Sequence, residues 1–352
     1  VAGKKCTYGV YLRKDTRAVK NAVVVDRMLG SGAILLCITN VPEVCMWWES
    51  VNTIYGRTGN PYDNRRIAGG SSGGEAALIA AAGSLIGVGS DIGGSIRMPA
   101  FFNGIGPICR YASDLGLVYK VMAGESGPDL RIDEPIPMNR LRVFYMEGLR
   151  SPLIESASDE MTGALSRAVR FLEMKYDLAA VRVDFPLAHR ACEFFMTSMK
   201  TDDPKMAEIL ANFNMLRCIV GASIHTFPAL LTAALDDIEP FGEEEKKKVL
   251  YKRDRLIREM KDLLGDDGIL LFPSFCAPAP YHNQPLLTPL NFGYTGLFNA
   301  VAFPVAQCPM GLSPANGMPL GVQVIGSPRS ERNLIAIAKD LEEGFGGWHV
   351  PA

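Results

Sequence analysis

The feature that most constrains this chain is a pair of glycine-flanked serine clusters within residues 69–97. The first cluster, GGSSGG, contains Ser71 and Ser72, and the second, GGSIR, contains Ser95. Glycine beside serine leaves backbone N–H groups open to a ligand. Ser72 followed by Glu75 is a capping-box pattern, which predicts a helix that starts at Ser72. The positive end of that helix dipole would then lie beside the serines.

The second cluster is expected to form a turn, from Asp91 to Ser95, that would present a run of backbone amides around one hydroxyl. A serine nucleophile with an oxyanion hole requires such an arrangement, which makes Ser95 the candidate nucleophile. A single glycine-rich turn is most simply explained by tight packing, but two clusters at this spacing favour a catalytic serine site. Asp91 and Arg97 flank the turn within apolar sequence, and buried charges need partners. We therefore expect an ion pair that fixes the turn, the alternative being two independent surface charges.

The two clusters resemble the amidase signature enzymes, whose hallmark is GGSSGG followed by a GxDxGGSIR-type segment at this spacing. The stretches CITNVPEVCMWWESVNTIYGRTGNPYD and RMPAFFNGI are similar to fatty-acid amide hydrolases, most of all the second vertebrate form and its invertebrate relatives. The resemblance continues through NFGYTGLFNAVAFPVAQCPMGL and is weakest between about Ser151 and Asp236. It implies an α/β amidase signature fold over residues 1–352 as one domain, with a central mixed, twisted sheet covered by helices on both faces.

The resemblance also implies roles for individual residues. Ser95 matches the nucleophile, Ser71 matches a bridging serine held by a cis peptide, and Ser72 supports their network. The family's base is a buried neutral lysine, and burial lowers the pKa of a lysine. That lysine would align a few residues before Val1, so it is expected outside this sequence. The oxyanion hole would consist of the amides of Ile92, Gly93, Gly94 and Ser95. We expect no metal ion and no cofactor.

The implied reaction is hydrolysis of a fatty-acid primary amide or an N-acylethanolamine through an acyl-enzyme on Ser95. Cys45, Met46 and Trp47 would lie beside the acyl channel, although such an apolar cluster is also typical of a core. Three alternatives stay open. They are the amidase subunit of a glutamyl-tRNA amidotransferase, an amidase or esterase for short-chain or aryl substrates, and a catalytically inactive relative that binds lipid amides.

Composition narrows the partners. The net charge of −2 argues against nucleic acid, which usually meets a basic face. Eight cysteines without a CxxC pair indicate free thiols in a reducing compartment. The sequence contains no uninterrupted run of 18 apolar residues, so it predicts no plain transmembrane helix, and no signal peptide is visible. The resemblance implies an intracellular protein associated with an endomembrane or a lipid droplet. It leaves open contact with a membrane surface and a homodimer.

Local patterns predict alternating helices and strands. We expect helical periodicity from Asp15 to Gly30, a buried strand from Ala33 to Thr39 and a strand-like segment from Leu85 to Gly89. We also expect a helix from about Ser156 to Tyr176, a charged amphipathic helix from Phe241 to Leu264 and a buried strand from Ile269 to Pro273. An apolar stretch from Cys218 to Ala234 is either a buried helix or an amphipathic cap that touches a bilayer. Members of the resembled family carry a few dozen further residues at the position between 105 and 106, so we expect a missing segment there.

Overall fold

The computed structural model describes residues 1–103, 107–199, 210, 223–236 and 241–351. Its centre is a five-stranded mixed sheet in the order β6-β5-β7-β9-β8. These strands are β5 (Arg142–Tyr145), β6 (Val181–Arg182), β7 (Gly268–Pro273), β8 (Val305–Leu312) and β9 (Pro319–Gly326). Two small antiparallel ribbons precede it, formed by β1 (Val51–Asn52) with β2 (Gly56–Arg57) and β3 (Gly59–Asn60) with β4 (Asp63–Ile67).

Ten α-helices lie in the described part of the chain. They are α1 (Val23–Gly30), α2 (Gly73–Ala80), α3 (Arg97–Asn103), α4 (Ala112–Ala123), α5 (Asp159–Tyr176), α6 (Ala191–Ser198), α7 (Phe227–Asp236), α8 (Glu243–Leu264), α9 (Gly293–Val301) and α10 (Glu331–Phe345). Short 3-10 turns connect several of them.

The middle of the sheet is buried on both faces. Every residue of β7 and of β9 is buried, and the two strands pair antiparallel from Ile269 with Gly326 to Pro273 with Val322. A strand without alternation of polar and apolar side chains needs cover on both faces. Helices α3, α5 and α10 pack on β8 or β9 and supply this cover. Strand β5 runs parallel to β6 and β7, so the sheet is mixed as expected.

Several local predictions are confirmed with shifts of a few residues. The expected helix from about Ser156 to Tyr176 is α5, and the expected charged helix from Phe241 to Leu264 is α8. The strand expected over residues 269–273 is β7. These segments carry their signal locally, in a helical apolar period or a short apolar run, which explains why sequence reasoning finds them.

Three local predictions are wrong. Residues 33–39 form no strand, and Ile34 and Leu36 are 84% and 65% exposed, because no described strand pairs with them. Residues 85–89 contribute only an isolated bridge between Ile86 and Cys109, with Leu85 exposed. The helix expected from residue 15 begins only at α1, because residues 17 and 18 bridge to the N-terminal residues instead. An apolar run predicts a strand, but only a neighbouring strand completes it.

Only part of the Cys218–Ala234 segment is described, and it contains the start of α7. Just before this helix, the buried His225 Nδ1 lies 2.6 Å from Glu43 Oε1, and the other oxygen of Glu43 accepts from the backbone N–H of Thr226 at 2.7 Å. The expected junction between 105 and 106 lies outside the described residues. Among the described helices, none has the length and apolarity to cross a membrane.

Candidate active site

The structure brings the two serine clusters together. The backbone N–H of Ser72 donates to the carbonyl of Ser95 at 3.0 Å. The peptide bond between Gly70 and Ser71 is cis, as the resemblance implied. Ser71 and Ser72 are 3% and 6% exposed, whereas Ser95 is half-buried. The residue expected to be the nucleophile is therefore more accessible than the expected bridging serine.

The helix after the first cluster begins where the sequence predicts, with Ser72 at the N-cap of α2. The capping box itself is absent, because the Ser72 side chain makes no cap hydrogen bond. The Glu75 carboxylate instead accepts from Thr39 Oγ1 at 2.6 Å, and burial raises the pKa of Glu75. The positive end of α2 still points towards the serines.

Ser50, which sequence reasoning missed, lies outside the first cluster and hydrogen-bonds to its backbone. Its buried hydroxyl lies 2.9 Å from the Gly69 carbonyl and accepts from the Gly73 N–H at 3.2 Å. A Cβ on Gly70 would lie 2.5 Å from the carbonyl oxygen of Trp47, so only glycine fits there. The cis peptide is therefore packed between the segment that carries Trp47 and the hydroxyl of Ser50.

The second cluster is organised by the carboxylate of Asp91. It accepts from the backbone N–H of Gly94 at 2.7 Å, of Ile96 at 3.0 Å and of Arg97 at 3.2 Å. This corrects one expectation, because the Gly94 amide is engaged by Asp91 and is not free for an oxyanion. The other expected donors fit better. Within the described part of the chain, no acceptor contacts the amides of Ile92, Gly93 and Ser95.

Asp91 and Arg97 form the predicted ion pair. Arg97 Nη2 lies 3.1 Å from Asp91 Oδ1, and both side chains are largely buried. Burial opposes the charged form of Asp91, but the Arg97 charge and the hydrogen bonds from Arg97, Asn299 and the Ile96 amide outweigh it. Together they hold the pKa of Asp91 well below its usual range. The carboxylate therefore remains charged and keeps the turn folded around it.

Arg97 links the turn to the sheet through residues that are distant in the sequence. Its Nη1 donates to the Thr295 carbonyl and to Gln323 Oε1, both at 3.0 Å, and its Nη2 contacts Asn299 Oδ1. Gln323 lies on β9, while Thr295 and Asn299 lie on α9. Sequence reasoning missed all three, because nothing local pairs them with a turn about 200 residues earlier.

Of the channel candidates, Trp47 lies beside the first cluster through its backbone carbonyl, near Gly70. Trp47 stacks near Trp48 with ring centroids 6.3 Å apart, and Trp48 is buried against Phe275. Met46 is 37% exposed, while Cys45 is half-buried and burial raises the pKa of its thiol to about 11. Trp48 therefore belongs to the core, whereas Met46 remains accessible.

A second aromatic group, the pair Phe195 and Phe292, lies against the turn that carries Ser95. A Cβ on Gly93 would lie 2.8 Å from Cζ of Phe195, so the ring lies directly against the turn. Phe195 on α6 meets Phe292 edge to face, with centroids 4.8 Å apart. The ring of Phe195 thus gives the turn that carries Ser95 an apolar neighbour, while the backbone carbonyl of Trp47 lies against the first cluster at Gly70.

Comparison with known proteins agrees with this geometry. The family model described as "Amidase" matches residues 1–105 and 104–335. Human fatty-acid amide hydrolase 2 is 38% identical over 387 residues, covering 97% of this chain and 73% of that protein. Zebrafish (Danio rerio) fatty-acid amide hydrolase 2-B is 36% identical over 386 residues, with the same two coverages.

The fold comparison extends to solved structures. A bacterial aryl acylamidase of the amidase signature enzymes superposes with a TM-score of 0.75 at 22% identity. The superposition covers 97% of this chain and 80% of that chain. At this identity the likeness concerns the fold, which is the mixed-sheet architecture described above.

Proposed function

The chain belongs to the amidase signature family, whose enzymes hydrolyse C–N bonds with a serine, a cis serine and a lysine, and we propose that it cleaves fatty-acid amides. The observation that carries this proposal is the turn after Asp91, which leaves three amides without acceptors, among the described residues, around the half-buried Ser95. Donors arranged in advance around a developing oxyanion are commonly the largest single contribution to catalysis of acyl transfer.

In the proposed reaction, Ser95 Oγ attacks the amide carbonyl, and its proton passes through Ser71 to a lysine of the kind that the family uses as its base. The carbonyl oxygen becomes an oxyanion and accepts from the amides of Ile92, Gly93 and Ser95. The C–N bond then breaks as the amine takes up the relayed proton, and an acyl-enzyme remains. Water adds to this ester, and the fatty acid leaves as Ser95 recovers its proton.

Two observations support a long apolar acyl chain. The ring of Phe195 lies against the turn that carries Ser95, and the relatives with 36–38% identity are fatty-acid amide hydrolases by name. A buried methylene contributes about 0.8 kcal/mol, so an apolar site favours long acyl chains strongly. The proposed substrates are therefore primary amides or N-acylethanolamines of fatty acids.

The test is a comparison of kcat/KM for acetamide, octanamide and oleamide, with an aryl amide and an oleoyl ester alongside. We expect kcat/KM to rise with acyl length and to be highest for oleamide. A maximum at acetamide or the aryl amide would instead support a short-chain or aryl amidase. Turnover confined to glutamine would support a component of an amidotransferase. Binding of oleamide without turnover would support an inactive lipid-binding relative.

Replacing Phe195 by alanine should weaken this chain-length preference. Removal of the ring that covers Gly93 takes away apolar contact worth about 1.5–3 kcal/mol. We expect kcat/KM for oleamide to fall about 10-fold or more, while that for acetamide changes little. The matched control is Phe171→Ala, since Phe171 and Phe345 form a similar edge-to-face pair, 5.4 Å apart, on α5 and α10. An equal loss for both amides, or the same loss in the control, would contradict a role in acyl recognition.

A further inference from the structure

One peptide group in the candidate active site is held at both ends. The Thr295 hydroxyl lies 2.7 Å from the carbonyl oxygen of Gly93, to which it donates, and 3.0 Å from that of Phe292. At the other end of the same peptide, the N–H of Gly94 donates to Asp91 Oδ1 at 2.7 Å. The peptide between Gly93 and Gly94 is thus clamped between α9 and Asp91.

The clamp leaves no spare room. Gly94 has a φ of +116°, and a Cβ there would lie 2.0 Å from Thr295 Oγ1. The side chain of Thr295 is fully buried, and its own carbonyl accepts from Arg97 Nη1 at 3.0 Å. One helical turn further along α9, Asn299 Nδ2 donates to Asp91 Oδ1 at 2.8 Å. Residues four apart lie on the same helix face, so one face of α9 holds the whole turn.

The orientation of the clamped peptide controls its neighbours. The amides of Gly93 and Ser95, which have no acceptor among the described residues, belong to the peptides on either side of it. If the clamped group rotated, both N–H vectors would turn with it. Donors contribute most when they already point at the position of the oxyanion, because no reorganisation is then needed during the reaction.

From this geometry we infer that Thr295 is a positioning residue for the oxyanion hole. It touches the turn and not the substrate, and acts by fixing the peptide between Gly93 and Gly94 so that the flanking amides converge. The inference rests on the proposed function, because it assumes an oxyanion formed at Ser95. It extends that function by assigning a catalytic consequence to α9, which no local motif connects to the serines.

The experiment compares Thr295→Val, which keeps the shape but removes the hydroxyl, with Thr295→Ser, which retains it. Loss of one oxyanion donor typically costs ~10²–10³ in kcat, so an indirect loss of alignment should cost about 10- to 100-fold. We expect kcat for oleamide to fall by that factor in Thr295→Val, with KM changed less than about threefold. Thr295→Ser should recover most of the activity. Labelling of Ser95 by a fluorophosphonate should slow in parallel.

A matched control removes a threonine hydroxyl elsewhere. Thr162 on α5 donates to the Ser158 carbonyl at 3.1 Å, and Thr162→Val should leave kcat unchanged. Thermal unfolding of each variant separates misfolding from misalignment. The inference is overturned if Thr295→Val keeps wild-type kcat, or if Thr295→Ser loses as much as Thr295→Val. An inactive wild-type chain that also resists the fluorophosphonate would contradict the proposed function itself.

Discussion

Replacement of Ser95 by alanine is expected to lower amide turnover by about 10⁴-fold or more, because it removes the atom proposed to attack the carbonyl. The variant should fold normally, since Ser95 is half-buried and the contact from Ser72 uses its backbone carbonyl. The measurements are kcat for oleamide and peptide mapping after fluorophosphonate treatment, with the label on Ser95 in the wild type and absent from the variant.

The matched control is Ser90→Ala, which removes an exposed hydroxyl five residues away and should leave turnover and labelling intact. Ser71→Ala should slow turnover severely without unfolding the protein, because in the proposed reaction Ser71 passes the proton and does not bind the acyl group. A Ser95→Ala variant with more than a few per cent of wild-type turnover would show that another group is the nucleophile.

The second large effect concerns stability. Asp91→Asn should lower the free energy of unfolding at neutral pH by about 3–5 kcal/mol, the usual result of removing one partner from a buried ion pair. The substitution leaves the charge of Arg97 without its partner. It also places an NH2 group where a carboxylate oxygen accepts from the amides of Gly94 or Ile96. Urea unfolding of both proteins measures the difference.

The effect of pH on this difference has a definite sign. The folded-state pKa of Asp91 is lowered, so the ion pair stabilises the protein above the unfolded pKa of about 3.9 and loses that effect as the pH falls. The gap between wild type and Asp91→Asn should therefore be full at pH 7 and narrow below about pH 4.

An exposed ion pair provides the comparison. Lys120 and Asp133 lie 2.9 Å apart, with side chains 40% and 78% exposed, and Asp133→Asn should cost about 0–1 kcal/mol. Equal destabilisation by the two substitutions, or a gap that widens with acid, would show that Asp91 does not hold the turn as described.

Sequence reasoning located the local parts of this site. The serine clusters, the helix after Ser72 and the pair of Asp91 and Arg97 are all encoded within 29 residues, where spacing alone limits the geometry. It assigned the Gly94 amide to the oxyanion hole, whereas the structure gives that amide to Asp91. A carboxylate three residues upstream competes for the same donor, and motif spacing does not reveal such competition.

The remaining parts depend on tertiary contacts. Thr295 and Gln323 meet the turn because α9 contacts the segment before α3 and β9 packs against α3, and no pattern around either residue indicates that role. The segment from residue 33 to 39 shows the converse. Its apolar residues predict a buried strand, but a strand forms only where a neighbouring strand pairs with it. A single sequence does not specify which strand that neighbour is.

That same exposed segment also affects how the polypeptide behaves at high concentration. Ile34, Leu36 and Ile38 are more than half exposed and lie outside any helix or strand. Unpaired N–H and C=O groups beside apolar side chains form a template on which a second polypeptide can add a strand. A net charge of only −2 supplies little colloidal repulsion against such contacts. We therefore expect this segment to limit solubility during expression, and lysine substitutions at its exposed apolar positions are the rational means of improving yield.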